Sequence, residues 1–157
     1  MTIFAHSCAE NQQKLLCKKW KTVALYNSKM QSELDFMLKY IDTLGSNDSE
    51  LRQSVNLDSI KNLLRSELQV SEDEHRLALE NTIMEFLPNG KTYSKSIDGE
   101  DSAMYTIEDN AIKIDEAKLK GYGETMTFDI IKLTKDSLKI RFINFGDTSL
   151  ISLVPAL

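Results

Sequence analysis

Proline and glycine are scarce in this sequence, which has two prolines and six glycines among 157 residues. Such a low content of both excludes collagen-like repeats and low-complexity disorder. Long apolar runs are also missing, since none approaches the roughly 18 residues of a membrane-spanning helix. Apolar residues make up 41% and charged residues 27% of the chain, as in an ordinary globular protein. We therefore expect one folded domain with a single core.

Cysteine and histidine are rare, with two of each. Cys8 and Cys17 do not make a disulfide framework. They either pair in an oxidising compartment or stay free, and a free, buried Cys17 is the simpler expectation. Together with His6 they do not supply four ligands at ordered spacing. We expect no metal and no cofactor.

Positive charge is not concentrated in this chain. Its 19 Lys and Arg residues are outnumbered by 24 Asp and Glu residues, and the net charge is -5. Nucleic-acid binding needs a clustered basic face, so we expect no nucleic-acid partner. The short cluster Lys18, Lys19 and Lys21 is typical of a solvated strand face.

Catalytic patterns are not apparent either. His75 lies in a polar helical run, and Gly121-Tyr122-Gly123 lacks the lysine and helix of a phosphate-binding loop. No nucleophile and base, paired carboxylates or ordered ligands stand out. We predict a protein that is not an enzyme. An enzyme on the same fold would have to use polar groups inside it, and the candidates would be Asp129, Glu85 and Tyr105.

The first residues contain a lipoprotein-like pattern. Phe4-Ala5-His6-Ser7-Cys8 resembles the end of a bacterial lipoprotein signal, although the apolar region that precedes such a signal is missing. Either the sequence starts inside a longer precursor or the match is chance. On the first reading Cys8 is a lipid anchor, which would be the one membrane attachment. The protein would then lie on the periplasmic or extracellular face of the cell envelope, with the cytoplasm as the alternative.

The period of the apolar residues changes near Asn81. Residues 1–15 have little periodicity and are predicted to be a flexible leader to a domain at 16–157. Within 28–80, apolar residues recur every three or four positions, which predicts helices over 30–44 and 57–68 and a third that begins at Ser71.

After Asn81 the period is near two, and turn residues recur every eight to twelve positions. With the strand around Trp20 this predicts eight strands, at 20–26, 82–87, 91–97, 103–107, 111–114, 126–133, 138–145 and 149–154. A turn is predicted at 98–102. Short connections favour a mainly β fold: an eight-stranded antiparallel up-and-down barrel, with two or three helices inserted between strands one and two.

Four segments in order resemble the bacterial lipocalin-like domain family, whose members are small secreted proteins or lipoproteins. They are the Trp20 strand, FLPNGKTY at 86–93, YTIEDNAI at 105–112 and IIKLTKDSLKI at 130–140. Lys18-Lys19-Trp20 lacks the glycine of the family's G-x-W motif. The resemblance implies that Trp20 closes the narrow end of the barrel under a late arginine, for which Arg141 is the candidate. Otherwise Trp20 is plain core and Arg141 is solvated.

The resemblance also implies non-enzymatic binding of a small hydrophobic ligand inside the barrel, with the helices as a lid or an extension of the core. The predicted interior residues are Met84, Phe86, Tyr93, Tyr105, Ile107, Phe128, Ile130, Ile140 and Phe142. The alternative is an envelope-tethered protein-interaction or structural module with a filled barrel, whose helices contact an unknown protein. A carrier should have a cavity with a few convergent polar groups, whereas a module should expose an apolar patch.

Overall fold

The computed structural model describes residues 11–47 and 55–157. These form two compact units. One contains the residues before Asn27 together with Ala78–Leu157, and the other is Asn27–Leu77. The first unit holds all eight strands, and the second holds the helices that follow the first strand.

Eight strands close into one barrel, in which each strand pairs antiparallel with the next along the chain. The ring closes beyond the last strand, where the Ala156 N–H donates to the Lys19 carbonyl oxygen at 3.0 Å. The predicted eight-stranded antiparallel up-and-down barrel is therefore confirmed. The strands are β1 Lys19–Asn27, β2 Ile83–Phe86, β3 Lys91–Ser96, β4 Gly99–Glu108, β5 Ala111–Asp115, β6 Thr125–Leu133, β7 Leu138–Asn144 and β8 Asp147–Pro155.

The connection between β3 and β4 is shorter than the sequence predicts. The turn predicted at 98–102 is wrong, because β4 already begins at Gly99. The polar residues there continue the ladder, in which Lys95 is paired with Glu100 and its ammonium binds the Glu100 carboxylate at 2.7 Å. A cross-strand ion pair of this kind stabilises the polar end of a strand. Composition alone predicts a turn for such a polar segment.

Among the described residues, two long helices lie between β1 and β2 in the chain. Helix α1, Ser28–Thr43, is capped by the Asn27 side chain, which accepts from the Met30 N–H at 2.9 Å. Helix α2, Leu57–Glu80, is continuous over 24 residues, so the third helix predicted from Ser71 is part of it. Neither glycine nor proline interrupts that stretch, and the helix continues. A third helix of one turn, α3 (Ala117–Lys120), joins β5 to β6.

No helix in the described ranges combines the length and the hydropathy that a membrane crossing requires.

One end of the barrel, which we call the closed end, is filled by the chain that enters β1. Residues 11–16 are helical, so the predicted leader overlaps a helical turn. Leu16 is fully buried in the core, and its carbonyl accepts from the indole N–H of Trp20 at 2.8 Å. The side chains of Gln12, Gln13 and Lys18 donate to groups in the β4–β5, β2–β3 and β6–β7 turns, respectively.

Candidate functional site: the open end of the barrel

The opposite end of the barrel, which we call the open end, contains a cavity. Here the β3–β4 turn, the 116–124 connection and the β7–β8 turn meet. A cavity of about 200 Å³ lies inside this end. Its lining is half apolar and half polar, and consists of Met84, Thr92, Ser94, Asp101, Ser102, Ala103, Ile114, Glu116, Met126 and Phe128.

The apolar side of this cavity is built mainly from two methionines and an aromatic ring. Met84 and Met126 pack against the buried core, and Phe128 belongs to it. The ring of Phe128 lies 5.1 Å from that of Phe142, tilted by 30°. Thioethers adapt to guests of different shape and contact aromatic groups favourably. This wall therefore suits an apolar or aromatic body.

Thr92 is the most buried polar residue of the cavity lining. The residue is 4% exposed, and its Oγ1 has no hydrogen-bond partner among the described residues. A buried polar group without a partner costs about 1–3 kcal/mol. A guest that hydrogen-bonds to this hydroxyl would recover that cost.

The sequence-based reasoning missed Thr92, although a signal was present. In the hairpin around Pro88-Asn89-Gly90, Phe86 pairs with Thr92. Residues that pair directly share one face of a sheet, so an inward Phe86 requires an inward Thr92. The same pairing contradicts one prediction: Tyr93 faces outward, and 44% of it is exposed. Tyr93 was favoured because aromatic residues are usually buried.

The other predicted interior residues are divided between the cavity and solid core. Eight predicted interior residues remain besides Tyr93, and two of them, Met84 and Phe128, line the cavity. Ile107 and Phe142 are partly buried against the core. The remaining four are fully inside the core and fill the barrel toward its closed end: Phe86, Tyr105, Ile130 and Ile140.

Two carboxylates and one serine lie at the rim of the cavity. We call these three residues, Ser94, Asp101 and Glu116, the mouth. The Lys120 ammonium binds Asp101 directly. This bond and the Ser102 N–H, which donates to the same carboxylate at 2.6 Å, lower the pKa of Asp101, so it is charged near neutral pH. The pKa of Lys120 is raised, chiefly by its bond to Asp101.

Tyr105 belongs to the closed end rather than to the cavity. Its hydroxyl donates to the Leu87 carbonyl at 2.9 Å and lies 3.3 Å from Sγ of Cys17, which is a free thiol. Burial, followed by the contact with Cys17, raises the pKa of Tyr105 far above its usual value near 10. A hydroxyl held neutral and bonded in this way stabilises the fold.

The predicted contact between Trp20 and Arg141 is not formed. Trp20 is fully buried, and the cation near its ring is Lys18, whose Nζ lies 5.1 Å from the ring centre. Arg141 instead donates to the Asp129 carboxylate through Nε and Nη2, at 3.0 and 2.7 Å. Arg141 on β7 and Asp129 on β6 are directly paired. Their side chains are therefore neighbours on one face of the sheet, and they form this ion pair.

The polar groups considered for an enzyme do not come together. Asp129 is bound to Arg141, and Glu85 pairs with Lys19 at 3.7 Å. Within 11–47 and 55–157, no three His, Cys, Asp or Glu side chains converge as metal ligands. Cys8 lies outside the described residues, so the lipid anchor stays a prediction, as does the lid.

The outer wall of the barrel carries two larger grooves, of about 320 and 410 Å³. Their lining includes complete ion pairs, Lys113 with Glu108 in one and Lys95 with Glu100 in the other. These charges already have partners, whereas the Thr92 hydroxyl does not. We therefore take the interior cavity as the candidate site.

Comparison with known proteins gave two similar solved structures. One is a lipocalin-like protein from Bacteroides uniformis ATCC 8492, with 16% identity, a TM-score of 0.38 and coverage of 87% of this chain and 96% of that chain. The other is a DUF4847 family protein from Bacteroides vulgatus ATCC 8482, with 11% identity, a TM-score of 0.45 and coverage of 92% and 96%. No protein-family model and no curated protein matches the sequence. The first neighbour carries the family description that the sequence resemblance predicts, and at these identities and TM-scores the functional argument rests on the cavity alone.

Proposed function

We propose that this protein binds one small, partly apolar molecule in the open end of its barrel. The observation that carries the proposal is Thr92, which lines a cavity of about 200 Å³ and whose buried hydroxyl has no partner in the described structure. A few hydrogen-bonding groups beside apolar walls fix the orientation of a ligand. A cavity with a few polar groups is the feature expected of a carrier, whereas a structural module is expected to have a filled barrel.

The size of the cavity restricts the ligand. Pockets for drug-sized ligands measure about 300–1,000 Å³, whereas a cavity of about 150 Å³ holds benzene. At about 200 Å³ the site suits a single substituted ring or a short branched chain. An extended fatty-acyl chain exceeds this volume.

Binding, rather than catalysis, is the function that the cavity supports. Thr92 is the most buried polar residue of its lining, and no general base contacts the Thr92 hydroxyl in the described structure. The carboxylates belong to the mouth, where they can select a ligand without activating a nucleophile. A location in the cell envelope is part of this proposal only through the sequence around Cys8.

The test uses 4-ethylphenol, a neutral molecule with one ring and one hydroxyl. We expect wild-type protein to bind it with 1:1 stoichiometry in isothermal titration calorimetry. Ala103→Leu places a larger side chain in the cavity wall and should weaken binding about tenfold or more. Ala117→Leu, an exposed site outside the lining, is the matched control and should bind normally. If wild-type protein does not bind this probe, or if Ala103→Leu binds it equally well, the proposal is wrong.

A second candidate function, protein interaction through α2, has one observation in its favour. Leu63, Val70 and Leu77 are exposed and follow each other at seven-residue spacing, which places them on one side of a helix that could pair with another helix. Sedimentation of the wild-type chain and of a variant with glutamine at all three positions tests self-association. A wild-type protein that stays monomeric at high concentration would count against helix pairing between copies.

A further inference from the structure

We infer that the cavity selects a small amine over a carboxylic acid of the same shape. On this inference, which rests on the proposed function, the ammonium group lies at Glu116 and Asp101 in the mouth, and a hydrogen-bonding group at the other end of the ligand reaches Thr92. An apolar body joins the two and contacts the methionines.

The charge at the mouth carries the first step. Asp101 and Glu116 both line the cavity. Lys120 binds Asp101, while Glu116 forms no direct ion pair with any described residue. Glu116 does help to raise the pKa of Lys120, so it is near that ammonium. Two carboxylates and one ammonium leave one net negative charge. A field of this sign beside apolar walls attracts cations and repels anions.

The backbone around Glu116 holds its carboxylate at this position. The Glu116 N–H donates to the Glu124 carbonyl at 3.2 Å, which closes the loop between β5 and β6. A Cβ atom at Gly123 would lie 2.5 Å from Oε2 and 2.6 Å from Cβ of Glu116. The side chain therefore occupies space that only glycine leaves free, and the carboxylate is held in the mouth without a direct ion pair to a described residue.

The depth of Thr92 sets the length of the ligand. In the β3–β4 ladder Thr92 pairs with Ala103, and two residues further Ser94 pairs with Asp101. Two residues of strand span about 7 Å. A molecule with its cationic and hydrogen-bonding groups at that order of separation, joined by a ring, can engage both ends. Met84 and Met126 are placed to contact such a ring.

Three probes separate charge from shape in calorimetric titrations of the full chain. Tyramine has a phenol hydroxyl and an ammonium group, 4-ethylphenol lacks the ammonium, and 4-hydroxyphenylacetate carries a carboxylate instead. We expect tyramine to bind about tenfold tighter than 4-ethylphenol. Its ammonium group can form a charge-assisted hydrogen bond with the carboxylates of the mouth, whereas the chain of 4-ethylphenol ends in a methyl group. The carboxylate probe should bind more weakly than either.

Two variants assign the ends of the ligand. Glu116→Gln should weaken tyramine binding about tenfold and 4-ethylphenol binding by a much smaller factor, because 4-ethylphenol carries no charge that bonds to this carboxylate. Thr92→Val removes the hydroxyl at constant shape and should weaken both probes about threefold or more. Glu108→Gln removes a carboxylate that is paired with Lys113 on the outer wall, and as the matched control it should change neither affinity.

The outcomes distinguish this inference from the proposed function. If 4-ethylphenol binds and tyramine binds no better, or if 4-hydroxyphenylacetate binds as tightly as tyramine, selection for amines is wrong while the binding function stands. If Glu116→Gln leaves the preference for tyramine intact, the mouth is not its source. If wild-type protein does not bind 4-ethylphenol, the binding function itself is overturned.

Discussion

At the scale of single residues, Tyr105 joins three parts of the closed end. Its ring packs edge-on against Phe86, with 5.1 Å between ring centres. Its hydroxyl bonds to the Leu87 carbonyl and contacts Cys17, which follows the helical turn at 11–16. One side chain on β4 thus connects the β2–β3 turn with the segment that fills this end of the barrel.

Removing this hydroxyl should lower stability in a pH-dependent way. We expect Tyr105→Phe to lower the free energy of unfolding by about 1–3 kcal/mol near pH 7, because the Leu87 carbonyl loses its donor. The folded pKa of Tyr105 is raised above its usual value near 10. The stabilisation from its neutral form is therefore complete below pH 10 and is lost as pH rises above 10, by up to about 1.4 kcal/mol per pH unit.

Urea unfolding of both proteins between pH 7 and 11 measures this difference. The free energies of wild type and Tyr105→Phe should converge above pH 10. Tyr122→Phe is the matched control, since Tyr122 is 75% exposed, and it should follow wild type throughout. A constant difference between wild type and Tyr105→Phe over the whole pH range would contradict the assignment.

Residue burial was predictable where hydrophobicity and strand parity agree. Phe86, Phe128, Ile130 and Ile140 satisfy both, and all four are in the core. In β3 the two signals conflict, because the aromatic residue stands at an outward position and the threonine at an inward one. The missing partner of the Thr92 hydroxyl depends on the three-dimensional arrangement of several strands, and no local pattern reveals it.

At the scale of elements, the β4–β5 turn shows how one connection holds a neighbouring strand. Asp109 and Asn110 both have positive φ, 50° and 60°, as in the tight turns that match strand twist. Asn110 also bonds twice to Ile130 of β6: its side-chain amide donates to the Ile130 carbonyl at 2.7 Å, and its carbonyl accepts from the Ile130 N–H at 2.8 Å. These bonds lie beside the irregularity between Ile130 and Lys132 in the pairing of β6 with β7.

Glycine substitutions separate the shape of this turn from its bonds. Asn110→Gly keeps positive φ accessible but removes the side-chain amide, so we expect a loss of about 1–2 kcal/mol in the free energy of unfolding. Asp109→Gly, the control at the adjacent position, should change stability by less than about 0.5 kcal/mol. Thermal and urea unfolding provide the measurement. Equal effects at the two positions would show that the bond from the Asn110 side chain to Ile130 contributes little.

Element positions followed well from the sequence because their signals are local. The alternation of apolar residues and the Pro88-Asn89-Gly90 turn are sufficient for β2 and β3. The helical turn at 11–16 was missed because its six residues are mostly polar and owe their structure to Leu16 in the core. The start of β4 was missed for a related reason, since its polar residues are stabilised by partners on β3.

At the scale of the whole molecule, the strand ladders are formed without residues of the long helices. Every strand-to-strand ladder lies within the barrel unit, and Asn27–Leu77 forms a unit of its own. Within that second unit, Asp42 at the end of α1 binds Arg65 of α2 at 2.8 Å, and its carbonyl accepts from the Lys61 ammonium at 2.8 Å. Each unit thus has internal contacts of its own.

We expect the barrel to fold when residues 28–77 are replaced by a short Gly-Ser linker. The linker closes a shorter loop, which lowers the entropy cost of pairing β1 with β2. The variant should unfold in one cooperative transition and keep the blue-shifted emission of the buried Trp20, as measured by fluorescence during urea unfolding beside the full chain. Red-shifted emission without a transition would show that the barrel requires the helices.

Substitutions at the two ends of the barrel should differ in their effect on folding. At the closed end, a change in Leu16, Trp20 or Tyr105 alters buried packing and endangers folding. At the open end, Ser94, Asp101 and Glu116 are partly or fully exposed, and substitutions at such positions usually have small effects on stability. If the open end binds a ligand as we propose, mutation and selection can change the preferred ligand while the closed end preserves a barrel that folds, and related chains could diverge in recognition long before they diverge in architecture.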